Sequence, residues 1–151
     1  MNAVSPIDEA NPDEAVLAHL WRVNTWGAAQ LVRPAAAHLP SGGRIINIGS
    51  AANIRTPFVG LSDYAASKGA LAAYTRGWAR DLAPRNIIQP GIIETEMLPT
   101  DDATVATLLQ PIALGRFGTV SEVGQVVAFL ASKAASYIIG STLMVDGGWS
   151  I

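Results

Sequence analysis

The sequence predicts an α/β protein built on a parallel sheet, and three observations carry that expectation. Short β-branched runs, Arg44-Ile45-Ile46-Asn47-Ile48 and Ser141-Thr142-Leu143-Met144-Val145, each close on a glycine turn. Longer stretches between them repeat apolar residues at helical spacing. The resulting order is helix, strand, helix, strand, helix, strand, which implies parallel pairing through right-handed crossovers. A chain of 151 residues, half of them hydrophobic and 15% charged, is about one globular domain with a core of its own.

Composition also narrows the function classes. The formal net charge is −2 with no block of like charges, so a nucleic-acid footprint is not expected. The absence of cysteine removes disulfides and thiolate metal sites, and no metal is expected. Met1-Asn2-Ala3-Val4-Ser5-Pro6 has neither the basic nor the apolar region of a secretory leader. No apolar run reaches membrane-spanning length. A soluble, cytoplasmic chain is the expectation.

Residues 1–10 read as a loop. Asn11-Pro12-Asp13-Glu14 reads as a helix start, with Asn as cap, Pro at the first helical position and acids in the first turn. The helix is expected to run over 12–39, with Leu17, Leu20, Trp21, Ala28 and Leu31 on its apolar stripe and a kink or early stop at Pro34. Asn24 falls on that stripe. A buried amide there must find partners, whether backbone carbonyls or water.

Ser41-Gly42-Gly43 turns the chain into the first strand. Gly49-Ser50 ends that strand, and carboxyl ends of strands are where open α/β sheets place their ligands. A loop over 51–61 precedes a helix expected from about Asp63 to Leu82, stopped by Pro84. Its Ala-rich face suits a helix–sheet or subunit contact. Asn86-Ile87-Ile88-Gln89 is a very short strand ended by Pro90-Gly91. A loop with a helical segment near Ala103–Leu109 follows. Thr119-Val120-Ser121-Glu122 is a capping box that opens an amphipathic helix through Val123, Val126, Val127 and Leu130.

The chemistry centres on Tyr64-Ala65-Ala66-Ser67-Lys68. On a helix this spacing puts a phenol and an ammonium on one face, one turn apart. The ammonium favours the phenolate, so such a Tyr can give and take a proton as a general acid/base. The plain alternative is a packed Tyr64 and a solvated Lys68.

Taken together the motifs resemble the short-chain dehydrogenases/reductases, most closely members similar to 3-oxoacyl-carrier-protein reductases. The matching residues are Asn24, Ile45-Ile46-Asn47-Ile48-Gly49-Ser50, Tyr64-x-x-x-Lys68, Pro90-Gly91 with Thr95, and Val145-Asp146-Gly147-Gly148. They span nearly the whole chain. The resemblance implies the C-terminal portion of a Rossmann-like, doubly wound parallel sheet with three strands and three main helices. It implies an NAD- or NADP-dependent oxidoreductase that interconverts a carbonyl and a secondary alcohol, assembled as a homo-oligomer (dimer or tetramer). By the same resemblance, Tyr64 moves the proton, Lys68 eases its loss and holds the nicotinamide ribose, Ser50 polarises the substrate carbonyl and Asn24 positions a water. Pro90, Gly91, Ile93 and Thr95 would contact the nicotinamide end, with a loop hydroxyl bonded to its own backbone as the lesser alternative for Thr95.

The departures from the family pattern set further expectations. The glycine-rich turn that cradles a pyrophosphate is missing: Gly42-Gly43 precedes a strand and Gly115-x-x-Gly118 follows none. The residue that would choose NAD or NADP belongs to the same missing region. Met1-Asn2-Ala3-Val4 would be the remnant of the family's Asn-Asn-Ala-Gly turn, making residues 1–151 a single truncated domain. Few residues separate Asn86 from Pro90-Gly91, and the Ser50–Tyr64 spacing is one residue longer than common. An isolated chain of this kind is expected to have little or no dehydrogenase activity. A catalytically inactive fragment acting only through subunit association, with the helices at 12–39 and 63–82 as its contacts, is the rival reading. A Ser50 hydrolase is a weaker one, since no Gly-x-Ser-x-Gly elbow surrounds Ser50 and His19 and His38 lie in the first helix. The loop at 92–118 would cover the substrate, and its Met97, Leu98, Leu108, Leu109 and Phe117 point to an apolar group there or to plain core.

Overall fold

The computed structural model describes residues 13–82, 85–96 and 98–151. The turn expected at 1–4, the cap at Asn11-Pro12, the stop at Pro84 and the side chain of Met97 lie outside them. Helix α1 spans Glu14–Trp21. Asp13 caps it, its Oδ1 accepting from the amides of Ala15 (2.9 Å) and Val16 (3.3 Å), so the cap falls two residues later than Asn11.

One continuous α-helix over 12–39 is not what forms. Residues Arg22–Gly27 make a π-helical segment before α2 resumes over Ala28–His38. Hydrogen bonds to the fifth residue underwind the helix and advance its inner face by one position. The buried residues are therefore Leu20, Thr25, Ala29 and Val32, whereas Leu31 is 71% exposed. A straight stripe through Asn24, Ala28 and Leu31 misses this shift. Pro34 neither ends nor shortens α2. Its ring is on the exposed side of the helix, where water can satisfy the carbonyl left without its N–H partner.

Strands β1 (Ile45–Ile48), β2 (Arg85–Pro90) and β3 (Thr142–Val145) form a parallel sheet in the order β1-β2-β3. Ile48 pairs with Ile88, and Pro90 with Val145, so the carboxyl ends of all three strands lie at one edge. Helix α3 (Ser62–Asp81) covers one face and α5 (Val120–Ala131) the other. Alternation along β1 sorts its side chains accordingly. Ile45 joins the cluster of Ala29, Val32, Leu71, Ala72 and Trp78 under α3, whereas Ile46 joins Leu130 and Ala135 under α5.

The α3 interface carries polar ties as well as apolar packing. Asn47 Nδ2 donates to Thr75 Oγ1 (2.8 Å), and that hydroxyl donates to the Leu71 carbonyl (2.9 Å). Thr75 is fully buried. Thr75→Val keeps the shape but leaves the Asn47 amide without its partner, so urea unfolding should show a loss of about 1–3 kcal/mol.

The last elements follow their sequence signals. Helix α4 spans Asp102–Leu109, with Asp101 as its cap, and the capping box of Thr119 and Glu122 opens α5. Arg116 grips the Glu122 carboxylate from outside (2.7 Å), and with the Thr119 bonds holds its pKa down at about 2. That carboxylate stabilises the fold above the ordinary glutamate pKa, and the contribution is lost as pH falls through about 2. Glu122→Gln should therefore flatten the acid limb of stability between roughly pH 4.5 and 2, read as the midpoint of acid unfolding.

Candidate active site

Ser50 follows β1 directly, and its Oγ accepts from the Ala52 amide (3.2 Å), capping the short 3₁₀ turn Ala51–Asn53. That bond uses a lone pair of the hydroxyl and leaves its proton for donation. Tyr64 lies in the first turn of α3, its ring packed with the cluster of Ala51, Ala52, Ile112 and Trp149. Ser50, Tyr64 and Gly91 line one cleft of about 210 Å³, whose other walls include Phe58, Leu61, Ile92, Leu108 and Trp149. Ser50 and Gly91 come from the strand ends and Tyr64 from α3, and the remainder of the wall is apolar.

Lys68 is half-buried one turn along α3. Its Nζ donates to the Ile48 carbonyl (3.3 Å), at the end of β1, and stands 5.9 Å from the centroid of the Tyr64 ring. Burial pushes the Lys68 pKa below that of a free lysine, because desolvation disfavours the charged form. The ammonium is thus tethered between the strand that ends in Ser50 and the helix that carries Tyr64.

Asn24 stands one layer further back, in the π-helical segment. Its Nδ2 donates to Ser67 Oγ (3.1 Å), and that hydroxyl donates to the Tyr64 carbonyl (2.7 Å). Beside it, Thr25 Oγ1 donates to the Ser67 carbonyl (3.0 Å). These bonds join the first helix to the second turn of α3, and π segments recur at functional positions.

The segment after β2 is fixed at both ends. Pro90 ends the strand, and the Gly91 amide donates to the Val145 carbonyl (3.2 Å). A Cβ on Gly91 would lie 2.8 Å from the Asp146 Cα, so only glycine allows the two strand ends to approach this closely. Ile93 bridges Gly118, with Gly118 N donating to Ile92 O (3.0 Å) and Glu94 N to Gly118 O (2.8 Å). Ile93 lies in a second depression of about 250 Å³, beside Arg116 and Asp146, and is absent from the cleft of Ser50 and Tyr64. Thr95 is exposed, its carbonyl accepting from Leu98 N (3.0 Å), and it too lies outside that cleft.

Several residues that shape the site carried no motif. Phe58 and Leu61 come from a loop whose sequence shows only Pro57 and Gly60 as turn signals. Trp149 reaches the cleft because Asp146 folds the chain end, its carboxylate oxygens accepting from Gly148 N (3.0 Å) and Ser150 N (3.1 Å). Arg55 then pins that turn, its Nη1 donating to the carbonyls of Trp149 (3.0 Å) and Ile151. Of the loop residues proposed to cover a substrate, Leu108 lines the cleft, and Leu109 and Phe117 pack behind it. His19 and His38 are exposed and line no part of it.

Three parallel strands deliver Ser50, Gly91 and the Asp146 turn to one edge, and a Tyr-x-x-x-Lys helix crosses above them. This is the carboxyl-edge site of a Rossmann-like α/β protein. The family model described as enoyl-(acyl carrier protein) reductase matches residues 4–150. The chain is 37% identical over 145 residues to the cyclic-di-GMP-binding biofilm dispersal mediator protein of Escherichia coli K12, covering 93% of this chain and 60% of that protein. It is 44% identical over 114 residues to a 3-oxoacyl-[acyl-carrier-protein] reductase of Thermotoga maritima, covering 70% of this chain and 45% of that protein. The fold matches a short-chain dehydrogenase of Burkholderia cenocepacia solved in complex with NADP at a TM-score of 0.91 and 33% identity, over 98% of this chain and 61% of the other. The chain belongs to the short-chain dehydrogenase/reductase family. It spans between 45% and 61% of the length of these three relatives.

Proposed function

We propose that this chain carries the proton-transfer site of an NAD(P)(H)-dependent oxidoreductase that interconverts a carbonyl and a secondary alcohol. The observation that supports it is the shared cleft of Ser50 and Tyr64, with the Lys68 ammonium held between their two elements. The residues present fit the ribose and nicotinamide end of such a cofactor: a cation on α3, the Gly91 backbone at the cleft wall, and parallel strand ends beneath. No Gly-x-Gly-x-x-Gly turn occurs in the sequence to hold a pyrophosphate.

The cofactor supplies the hydride to the carbonyl carbon in reduction and takes it back in oxidation. In reduction the Ser50 hydroxyl donates a hydrogen bond to the carbonyl oxygen, countering the charge that builds there. Tyr64 gives its proton to that oxygen, completing the alcohol. Lys68 stabilises the phenolate left behind and offers donors to ribose hydroxyls. Asn24 orders a water behind the pair. In oxidation the phenolate takes the proton back. Phe58, Leu61, Ile92, Leu108 and Trp149 suit a carbonyl compound with an apolar substituent.

The assembly proposed is a homo-oligomer. The outer face of α2 and α3 forms a groove lined by Arg33, Tyr74, Trp78 and Asp81, and Val23, Trp26 and Leu31 stand exposed on the same first helix. A groove with one cation and one anion suits the self-complementary face of a two-fold pair. Trp26→Glu with Leu31→Glu should lower the mass seen by sedimentation, and an unchanged mass would remove this face from the assembly.

The test is a titration of the purified chain with NADH and with NADPH, followed by tryptophan fluorescence and by turnover of apolar ketones. Trp149, one of four tryptophans, lies in the cleft wall and should report binding, so Trp149→Phe should remove most of the quench. Saturable binding with turnover supports the reading. A folded chain that binds neither nucleotide overturns it and favours the association-only alternative.

A further inference from the structure

We infer that Trp149 is the fixed wall that limits the apolar substituent of the substrate, and that Arg55 is the positioning residue that keeps it there. This rests on the oxidoreductase reading above and adds a size to it: the substrate is a short straight-chain ketone. The cleft of about 210 Å³ that holds Ser50 and Tyr64 has room for about seven non-hydrogen atoms, at the ~30 Å³ that each water takes up in the liquid. Its walls are not equally firm. Leu108 comes from α4, none of whose residues is buried, so that wall can give way. Trp149 is the opposite case. It is 3% exposed and packs with the buried Ala51, Ala52 and Ile112.

The indole is held by its backbone and its shape, and not by its own polar atom. The Asp146 carbonyl accepts from Trp149 N (3.1 Å), and the Asp146 carboxylate accepts from the amides on either side of Trp149. Arg55 Nη1 donates to the Trp149 carbonyl (3.0 Å) from just beyond the 3₁₀ turn that Ser50 caps. That turn also supplies Ala51 and Ala52, so Arg55 locks the two segments that meet at the ring. The Trp149 Nε1–H is buried and finds no acceptor among the described residues. Buried indoles ordinarily find one, so the unpaired donor is a cost that a phenyl ring would avoid. What the indole offers in return is a broader surface against the cleft. Arg55 is itself exposed, so removing its guanidinium opens no cavity in the core.

The experiment takes straight methyl ketones from butanone to nonanone and the full chain. It measures kcat/KM with NADPH and, independently of turnover, ketone binding by saturation-transfer NMR. Each methylene should raise kcat/KM and affinity about fourfold up to hexanone, the ketone that fills the cleft, and add nothing beyond it. Trp149→Leu should extend the rise by about two carbons, because the wall recedes. Trp149→Phe keeps a ring and drops the unpaired N–H, should extend the rise by about one carbon, and is the variant to read if Trp149→Leu does not fold. Arg55→Met should raise the ratio of nonanone to hexanone by about tenfold, whereas a merely structural arginine would lower all the ketones by one factor. Leu108→Ala should weaken all the ketones alike. A limit that stays put in Trp149→Phe removes the wall, and one that stays put in Arg55→Met removes its fastening. A limit moved as far by Leu108→Ala, or a parent chain that binds none of the ketones, also overturns the inference. A parent chain that binds the ketones with this limit but never turns over NAD(P)H sinks the oxidoreductase reading instead, and leaves the Trp149 wall standing.

Discussion

Tyr64→Phe is expected to lower turnover by on the order of 10³-fold while leaving the fold and the cleft in place. Its ring packs in the cluster of Ala51, Ala52, Ile112 and Trp149, and a phenyl ring makes the same contacts. What disappears is the one hydroxyl that both lines the cleft and can exchange a proton with a substrate oxygen. Ser50 cannot take over, because a serine hydroxyl polarises the carbonyl without readily giving up its proton. The measurement is steady-state reduction of a ketone by NADPH alongside a thermal melt. Equal kcat in the variant would show that Tyr64 only packs, and the oxidoreductase reading would lose its acid. A collapsed melt would place the residue in the core instead.

What the sequence allowed and what it hid follow from the range of the interactions involved. Strands β1 and β3 are β-branched runs ended by glycine, and their parallel order follows from the helices between them, so both were legible. The Thr119–Glu122 capping box was legible because both partners lie within four residues. The Tyr64–Lys68 pair was legible for the same reason. The π-helical turn at Arg22–Gly27 was not. Its residues are as compatible with an α-helix, and the underwinding matters only because Thr25 and Asn24 both find Ser67, 42 and 43 residues away. The apolar stripe drawn through Ala28 and Leu31 was therefore one residue out beyond the turn. The cap at Asp13 rather than Asn11 is a shorter slip, between neighbouring side chains that can each serve. The cleft walls were the least visible part. Arg55 reaches the carbonyl of Trp149 across 94 residues, and Gly91 is glycine because Asp146 lies against it. Neither contact leaves a local pattern, since each depends on two distant turns being built first.

Lys68→Met separates what the cation does for chemistry from what its stem does for packing. Methionine replaces the buried stem but not the ammonium. The variant is expected to bind NAD(P)(H) more weakly and to lower kcat together with affinity, because one group would serve both ribose and phenolate. Stability should change in the opposite sense from activity. Burial lowers the Lys68 pKa, so in the parent chain the folded state holds its proton less well than the unfolded state. The folded protein therefore gains stability as pH climbs through that lowered pKa toward the free-lysine value of 10.5, and Lys68→Met should erase this alkaline rise. A variant with a lower rate, weaker cofactor binding and an equal or higher melting temperature would mark Lys68 as a charge kept for chemistry at a cost to the fold. Unchanged rate and cofactor affinity would leave it a lysine that happens to reach the Ile48 carbonyl.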